Sequence, residues 1–145
     1  MKKIILILFI FFYSSIAKAG LEGYGPLKLD PVVVKYFIQY LDTKAVQNKS
    51  EGAQRKGKGV FFFVEENGKE FGYTYCAHAQ GCDNDPLLAN KLCKKNVKKY
   101  LKRKGKCKMF AKHRYIVWDN KRYKISENAS GEEIKDILKS QGYID

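Results

Sequence analysis

Hydrophobic residues recur every three or four positions in three stretches of the chain, and this spacing predicts three helices. The first begins at Asp30-Pro31, a capping residue followed by proline at the first helical position, and continues through VVVKYFIQYLDTK. The last runs through SGEEIKDILKSQG, where Ser130 and Glu133 can form a capping box and Gly142 can end the helix. Both stretches have a polar side and an apolar side, so we expect each helix to pack on a core.

The middle helix is predicted over residues 86–103, and its hydrophobic stripe shows which side should face a sheet. Asp85-Pro86 repeats the start signal of the first helix, and Gly105 follows as a stop. Six lysines lie off this stripe, so we expect the other side to face solvent. The stripe consists of Ala89, Leu92, Cys93, Asn96, Val97, Tyr100 and Leu101.

Alternating β-prone residues predict the strands. Two such runs flank Asn67-Gly68, a dipeptide that readily takes the positive φ of a tight turn, and together they predict a hairpin. CKMFA and YIVWD predict one or two further strands, with a turn at Asp119-Asn120. The order helix, hairpin, helix, strands, helix is that of an α+β domain. A helix between two strands usually makes a right-handed parallel crossover, so the middle helix should cover one face of the sheet.

The N-terminus has the features of an export signal. MKK is a cationic start, IILILFIFFYSSI is apolar but short for a bilayer span, and Ala17 and Ala19 stand at the small-residue positions of a cleavage site. We predict a signal peptide over residues 1–19, a flexible N-terminal segment over residues 20–29 and a single α+β domain over residues 30–145. No later stretch is apolar enough to span a membrane, so we expect no transmembrane segment after cleavage. The protein should be periplasmic or secreted.

The four cysteines, Cys76, Cys82, Cys93 and Cys107, all lie in the predicted mature part. An even number in a small exported chain favours disulfides, and we therefore predict a small disulfide-stapled α+β domain. Zinc sites normally contain a close Cys-x-x-Cys pair, whereas the nearest spacing here is five intervening residues around His78. A reactive thiol would need a neighbouring base. Metal binding and thiol chemistry stay open as alternatives, and we predict no metal site.

The crossover arrangement selects among the three pairings of four cysteines. Cys76 ends one strand and Cys107 begins another at the opposite end of the sheet, so a bond between them is unfavourable, because the Cα atoms must lie within about 7 Å. Cys76 can reach Cys82 through a short loop, and Cys93 faces the sheet from the helix. We predict the pairs Cys76–Cys82 and Cys93–Cys107.

The cysteine positions and their neighbours resemble a group of small exported bacterial domains. The shared features are a Tyr-x-Tyr-Cys hairpin, a loop cysteine, a helix cysteine and a Cys-x-x-Phe-Ala strand ending near Val-Trp. The resemblance covers residues 30–118, and it implies export and the fold but supplies no functional site. The matching positions are Tyr73, Tyr75, Cys76, Cys82, Cys93, Cys107, Phe110, Ala111, Val117 and Trp118.

Charge is concentrated in one part of the chain. The formal net charge is +13, and residues 86–118 contain twelve Lys/Arg and no Asp or Glu. A helix face of this kind repels itself, because it lacks Glu–Lys pairs one turn apart. We therefore predict an anion-binding face, with a merely solubilising surface as the alternative. Its residues are Lys91, Lys94, Lys95, Lys98, Lys99, Lys102 and Arg103.

The compartment limits which ligand this face could meet. Export argues against nucleic acid and leaves anionic lipid headgroups or a cell-wall polymer, so we expect a non-enzymatic domain that binds an anionic envelope component without a cofactor. One alternative is a secreted phosphodiesterase or ribonuclease-like enzyme that uses His78 and His113 as acid and base. Another is a structural partner-binding module. No nucleophile-elbow, zinc-protease or phosphate-loop motif is present in the sequence.

The disulfide prediction can be tested by counting thiols. We expect no cysteine of the exported protein to react with an alkylating agent under denaturing, non-reducing conditions, as measured by mass spectrometry. Two or more alkylated thiols would contradict the disulfides and favour metal binding.

Overall fold

The computed structural model describes residues 20–41, 61–74 and 86–145 of the protein. The α+β class predicted from the sequence is confirmed, and the elements follow in the predicted order. The helices are α1 (Pro31–Leu41), α2 (Pro86–Tyr100) and α3 (Gly131–Ser140), with a short 3-10 helix at Trp118–Asn120. The strands are β1 (Phe61–Glu65), β2 (Phe71–Thr74), β3 (Cys107–Lys112), β4 (Tyr115–Ile116) and β5 (Tyr123–Lys124).

The five strands form one sheet in the order β2-β1-β3-β4-β5, and each neighbouring pair is antiparallel. Since β2 and β3 are both antiparallel to β1, they run in the same direction with β1 between them. Helix α2 connects β2 to β3 and therefore makes the expected parallel crossover. It passes over β1.

Both faces of the sheet are covered, which explains why the consecutive residues Phe62 and Phe63 are both fully buried. Phe62 belongs to a core formed with α1 and α3, where Phe37 and Leu138 also lie. Phe63 points to the opposite face and packs in a second core with Cys93 of α2. The sequence predicted a helix on one face, and the structure adds the other two helices on the second face.

The turn of the β1–β2 hairpin lies at the predicted position. Gly68 has a φ of 73°, and its N–H donates to the carbonyl of Glu65 at 2.7 Å. Asn67 keeps a negative φ, so only the glycine takes the left-handed conformation. The N–H of Glu65 donates to the carbonyl of Glu70 at 2.7 Å, so the loop consists of the four residues 66–69, a length most often built around a type I turn.

The predicted caps of α1 and α3 are confirmed. The Asp30 carboxylate accepts a hydrogen bond from the N–H of Val32 at 2.9 Å. The N–H of Ser130 donates to the Glu133 carboxylate at 2.6 Å, and the Ser130 hydroxyl accepts from the Glu133 N–H at 3.2 Å, which completes the capping box. Gly142, with a φ of 79°, follows the end of α3 as expected.

The strands after α2 are partly shorter than predicted. CKMFA forms most of β3, but β4 ends at Ile116 rather than continuing through YIVWD. The chain leaves the sheet because Asp119 and Asn120 adopt φ values of 55° and 58°, which confirms the turn predicted there. A fifth strand, not predicted, follows this turn and pairs with β4.

Residues 20–29, predicted as a flexible N-terminal segment, are hydrogen-bonded to the sheet. Met109 of β3 donates its N–H to the carbonyl of Leu21 at 2.6 Å and accepts from the N–H of Gly23 at 3.2 Å. Leu27 and Leu29 are buried in the core. The packed part of the domain therefore extends N-terminal to residue 30, where the sequence placed its start.

Helix α2 lies unusually close to the sheet, because the β2 residue beneath it is a glycine. A Cβ atom added at Gly72 would lie 2.3 Å from the backbone nitrogen of Cys93 and 2.6 Å from the carbonyl oxygen of Ala89. Real Cβ atoms do not come this close to backbone atoms, so a larger residue would force the helix away from the strand. The close contact depends on the missing side chain.

Three side-chain links hold α2 in this position. The Cys93–Cys107 disulfide joins it to β3 with a Cα–Cα distance of 6.2 Å. The amide of Asn90 donates to the carbonyl of Cys107 at 2.8 Å, and that of Asn96 donates to the carbonyl of Phe71 at 2.6 Å. The helix is thereby fixed to strands on both sides of β1.

Of the two predicted disulfides, Cys93–Cys107 is confirmed. The Cys76–Cys82 pair lies outside the described residues, as do the predicted signal peptide and the Asp85 cap. Within the described ranges no cysteine is free.

We expect Gly72→Ala to destabilise the domain by roughly 1–3 kcal/mol, the usual effect of overpacking a filled site. The free energy of unfolding from urea titration measures this. Gly20→Ala is the matched control, since a Cβ at Gly20 meets no atom within 4 Å. Equal stability of the two variants would show that α2 does not depend on the close contact.

Candidate functional site

The lysines of the predicted anion-binding face lie on the outer side of α2 or directly after it. The inner side consists of Ala89, Cys93 and Val97, each 0% exposed. The seven predicted residues are all exposed, and the structure places them on one surface of the domain. They are Lys91, Lys94, Lys95, Lys98 and Lys99 on the helix, followed by Lys102 and Arg103.

The buried stripe of α2 is narrower than predicted. Leu92 and Tyr100, both assigned to the core, are 37% and 59% exposed, so this part of the prediction was wrong. The contact at Gly72 is so close that it buries only the small side chains in the centre of the stripe. Leu92 lies at the border of that stripe, and Tyr100 is the last residue of the helix.

Helix α2 ends at Tyr100 rather than at residue 103, because Gly105 does not act as the stop. The residue that takes the left-handed conformation is Lys102, with a φ of 51°. Gly105 serves the packing instead, since a Cβ there would lie 2.4 Å from Cγ1 of Val97. The rule that glycine ends a helix therefore identified the wrong residue as the left-handed one.

The lysines of α2 have no acidic partner among the described residues. Lysines one turn apart repel each other, which costs on the order of 0.3 kcal/mol per pair. The C-terminal end of the helix dipole favours the cations of the last turn, Lys98 and Lys99, but its effect does not reach Lys91. Helix stability thus accounts for only part of this face.

Lys99 makes a local contact with the aromatic ring that follows it. Its ammonium donates to the Tyr100 hydroxyl at 3.0 Å and lies 4.7 Å from the ring centroid. This hydrogen bond raises the pKa of Lys99 above its ordinary value. Lys99 is therefore charged at neutral pH.

Five cationic residues line a surface pocket at the C-terminal end of α2. Its volume is about 590 Å³, and its lining consists of Lys94, Lys98, Lys102, Arg103, Lys104 and Gly105. Lys104 was missed by the sequence prediction, because it follows the chain reversal that brings it back beside the helix. Its place in the sequence, within the run of cationic residues directly before Gly105, could nonetheless have indicated it. We call this feature the basic pocket.

The lysines of the face form two stripes with a spacing of four residues. Lys94, Lys98 and Lys102 form the stripe that lines the basic pocket. The other stripe lies outside the pocket lining, although it is equally exposed and equally charged. It consists of Lys91, Lys95 and Lys99.

Arg103 is held at the pocket by a buried carboxylate. One guanidinium nitrogen lies 2.7 Å from Oε1 of Glu65, whose side chain is 5% exposed. The second carboxylate oxygen of Glu65 accepts a hydrogen bond from the N–H of Asn67 at 3.1 Å. The hairpin turn thus fixes the acid, and the acid fixes Arg103. Sequence reasoning could not find this pair, because the two residues lie on different elements.

Two other cations of residues 86–118 have structural roles instead. Arg114 is buried, and its guanidinium donates to the carbonyls of Leu41 at 2.8 Å and Ile125 at 3.0 Å. Lys108 donates to the carbonyl of Gly20 at 2.8 Å. Arg114 therefore links α1 to the segment after β5, and neither residue lines the basic pocket.

Apolar side chains are exposed beside the lysines in the first half of α2. Leu88 is 44% exposed, and it lies one turn before the partly exposed Leu92. Each leucine is three residues from a lysine of the outer stripe, Lys91 or Lys95, so the leucines and the charges share one side of the helix. Such a border of apolar and cationic residues is typical of surfaces that lie against lipid headgroups.

Of the two histidines proposed for phosphodiester cleavage, only His113 lies in the described residues. His113 is half-buried in the turn between β3 and β4, where its carbonyl accepts from the Tyr40 hydroxyl at 2.6 Å. Burial, and then the charge of Lys112, lowers the pKa of His113, so its imidazole is neutral at pH 7. His78 lies outside the described residues. No cluster of three metal-ligating side chains occurs within the described ranges.

Comparisons with known proteins return no relative: no family model, no curated protein and no solved structure matches the chain. The resemblance carried by the cysteines and their neighbours therefore stays a prediction. Among residues 20–41, 61–74 and 86–145, no helix has the length and apolar character needed to cross a bilayer.

We expect Lys102→Gly to stabilise the domain by up to about 1 kcal/mol, because glycine adopts a positive φ without the strain of a side chain. Differential scanning calorimetry measures the change. Lys104→Gly is the control, since this neighbouring lysine is exposed but has no positive φ. If Lys102→Gly is the less stable of the two variants, the left-handed conformation of Lys102 is wrong.

Proposed function

We propose that this protein is an exported, non-enzymatic domain whose basic surface binds an anionic component of the cell envelope. The observation that carries the proposal is the grouping of five cationic residues around the basic pocket at the end of α2. The adjoining stripe extends the same charge along the helix. An anionic ligand would relieve the repulsion among these lysines, which have no acid partner among the described residues.

Export rests on the sequence and on the disulfide. The cationic, apolar and small-residue parts of residues 1–19 form a signal peptide, with cleavage after Ala19. The Cys93–Cys107 bond supports an oxidising compartment, because structural disulfides persist outside the cytosol. An exported protein meets lipid headgroups and cell-wall polymers rather than nucleic acid.

The exposed leucines favour a lipid surface over a soluble polymer. Leu88 and Leu92 border the outer stripe, so the same side of α2 can place apolar side chains at the headgroup level and lysines against phosphates. The inner side of the helix is committed to the sheet through the disulfide and Gly72. Binding is therefore peripheral, with the domain fold intact.

The test is a variant in which five lysines become glutamine: K94Q, K95Q, K98Q, K99Q and K102Q. We expect its affinity for vesicles containing anionic phosphatidylglycerol to fall by at least about a hundredfold, since each lysine near an anionic surface contributes on the order of 1 kcal/mol. Vesicle co-sedimentation at increasing salt measures this, and the residual binding should depend less on salt. The melting temperature should change little, because these side chains are exposed.

A matched variant removes five exposed lysines from other parts of the surface. Equal loss of binding in both variants would mean that net charge alone matters and that the face of α2 is only solubilising. Replacing Leu88 and Leu92 by glutamine should weaken binding to vesicles but not to a soluble polyanion. The control positions are Lys35, Lys69, Lys121, Lys124 and Lys139.

The enzymatic alternative is tested with the same preparations. We expect no cleavage of RNA by the purified protein. RNA cleavage that is lost in both His78→Ala and His113→Ala would contradict the proposed binding function and support the phosphodiesterase alternative.

A further inference from the structure

We propose that the basic pocket is a specific site for a compact, multiply charged phosphate group, such as a phosphomonoester or a pyrophosphate. This inference rests on the proposed function of the basic surface, but it goes further by naming the chemistry that one part of the surface recognises. The phosphate can belong to a lipid headgroup or to a soluble molecule. In either case the same cations bind it.

The basic pocket differs in shape from the rest of the anion-binding face. The outer stripe lies along an open helix surface, whereas Lys94, Lys98 and Lys102 share a cavity of about 590 Å³ with Arg103 and Lys104. Small-molecule sites usually have volumes of about 300–1,000 Å³. The pocket is thus the size of a phosphorylated headgroup, while an extended polymer would need the open stripe as well.

The concentration of charge favours a multivalent ligand. Glu65 offsets the charge of Arg103, which leaves the lysines of the pocket without compensation from described residues. Attraction to a ligand grows with the charge of that ligand, so a phosphomonoester or pyrophosphate gains more here than a phosphodiester with a single charge. Four of the five pocket cations are lysines, which act as point charges and tolerate several phosphate orientations.

The pairing with Glu65 prepares Arg103 for binding. One guanidinium nitrogen is bonded to the buried carboxylate, and the remaining N–H donors are oriented before the ligand arrives. Phosphate and carboxylate oxygens both match the planar fork of arginine, so Arg103 can bind a phosphate group in a fixed geometry. Glu65 is a positioning residue for Arg103.

The backbone at Lys102 supports a function for this pocket rather than for the helix face in general. Its φ of 51° is a conformation in which glycine is favoured, and helices commonly end with glycine at this place. A lysine is present instead, and its side chain lines the pocket. Strained backbone residues of this kind concentrate at functional sites.

The experiment is isothermal titration calorimetry of the full chain, purified with its disulfide intact, against inorganic pyrophosphate and against citrate. Both ligands are multiply charged at neutral pH, but one carries phosphates and the other carboxylates. The pocket variant K94Q/K98Q/K102Q is compared with the outer-stripe variant K91Q/K95Q/K99Q, which removes the same number of lysines from the same part of the chain.

We expect pyrophosphate to bind the parent protein at least about tenfold more tightly than citrate, since its compact phosphate groups bring their charge close to several pocket cations at once. The pocket variant should lose at least about tenfold in pyrophosphate affinity and the outer-stripe variant less than about threefold. Lys102→Gly should bind pyrophosphate more weakly although it melts at a higher temperature. Arg103→Lys should weaken pyrophosphate binding, because lysine lacks the planar fork of donors.

A vesicle arm identifies the source of the phosphate. Phosphatidic acid presents a phosphomonoester, and phosphatidylglycerol presents a phosphodiester. Each lipid is mixed with phosphatidylcholine so that the two kinds of vesicle have the same surface charge. Tighter binding to phosphatidic acid, lost in the pocket variant, supports a lipid headgroup. Pyrophosphate binding in the pocket without this lipid preference supports a soluble phosphate ligand.

The inference is overturned if citrate binds as tightly as pyrophosphate, or if the two triple variants lose pyrophosphate affinity equally. In that case salt-dependent binding to anionic vesicles would still support the proposed function. If neither vesicles nor pyrophosphate bind the parent protein, the proposed function fails together with this inference.

Discussion

The contact between α2 and Gly72 is the constraint on which the arrangement of this domain depends. The helix backbone lies so close to β2 that no side chain fits at position 72, and the buried side of α2 consists of Ala89, Cys93 and Val97. The disulfide to β3 and the amide bonds of Asn90 and Asn96 are all compatible with this one orientation. Once the inner side of α2 is fixed in this way, the positions of all its lysines are fixed as well.

The candidate site arises where this constrained helix ends. The chain must turn sharply after Tyr100 to bring Cys107 back to the sheet, and the turn carries Lys102, Arg103 and Lys104 to one side of the helix end. Gly105 lets the returning chain pass close to Val97. The same turn thus completes the crossover and forms the basic pocket.

The local features of the fold could be predicted from the sequence because each depends on neighbouring residues. The Asp30 and Ser130 caps, the glycine of the hairpin turn and the stop after α3 all use hydrogen bonds or φ values within a few positions. The Cys93–Cys107 pair was also predicted, because a crossover helix brings its inner side over the strand that follows. The core positions of Leu92 and Tyr100 were wrong, since the periodicity of a helix does not show how wide its buried stripe is.

The sequence by itself determined the α+β class, the order of the elements and the presence of a basic helix face, because periodicity, capping and charge are properties of short segments. The tertiary structure decided which cations act together. Glu65 meets Arg103 only because the hairpin packs beside the end of α2, and Lys104 joins the pocket only because the chain reverses at Lys102 rather than at Gly105. Contacts between residues distant in sequence depend on the packing of the whole domain, and no local pattern specifies that packing.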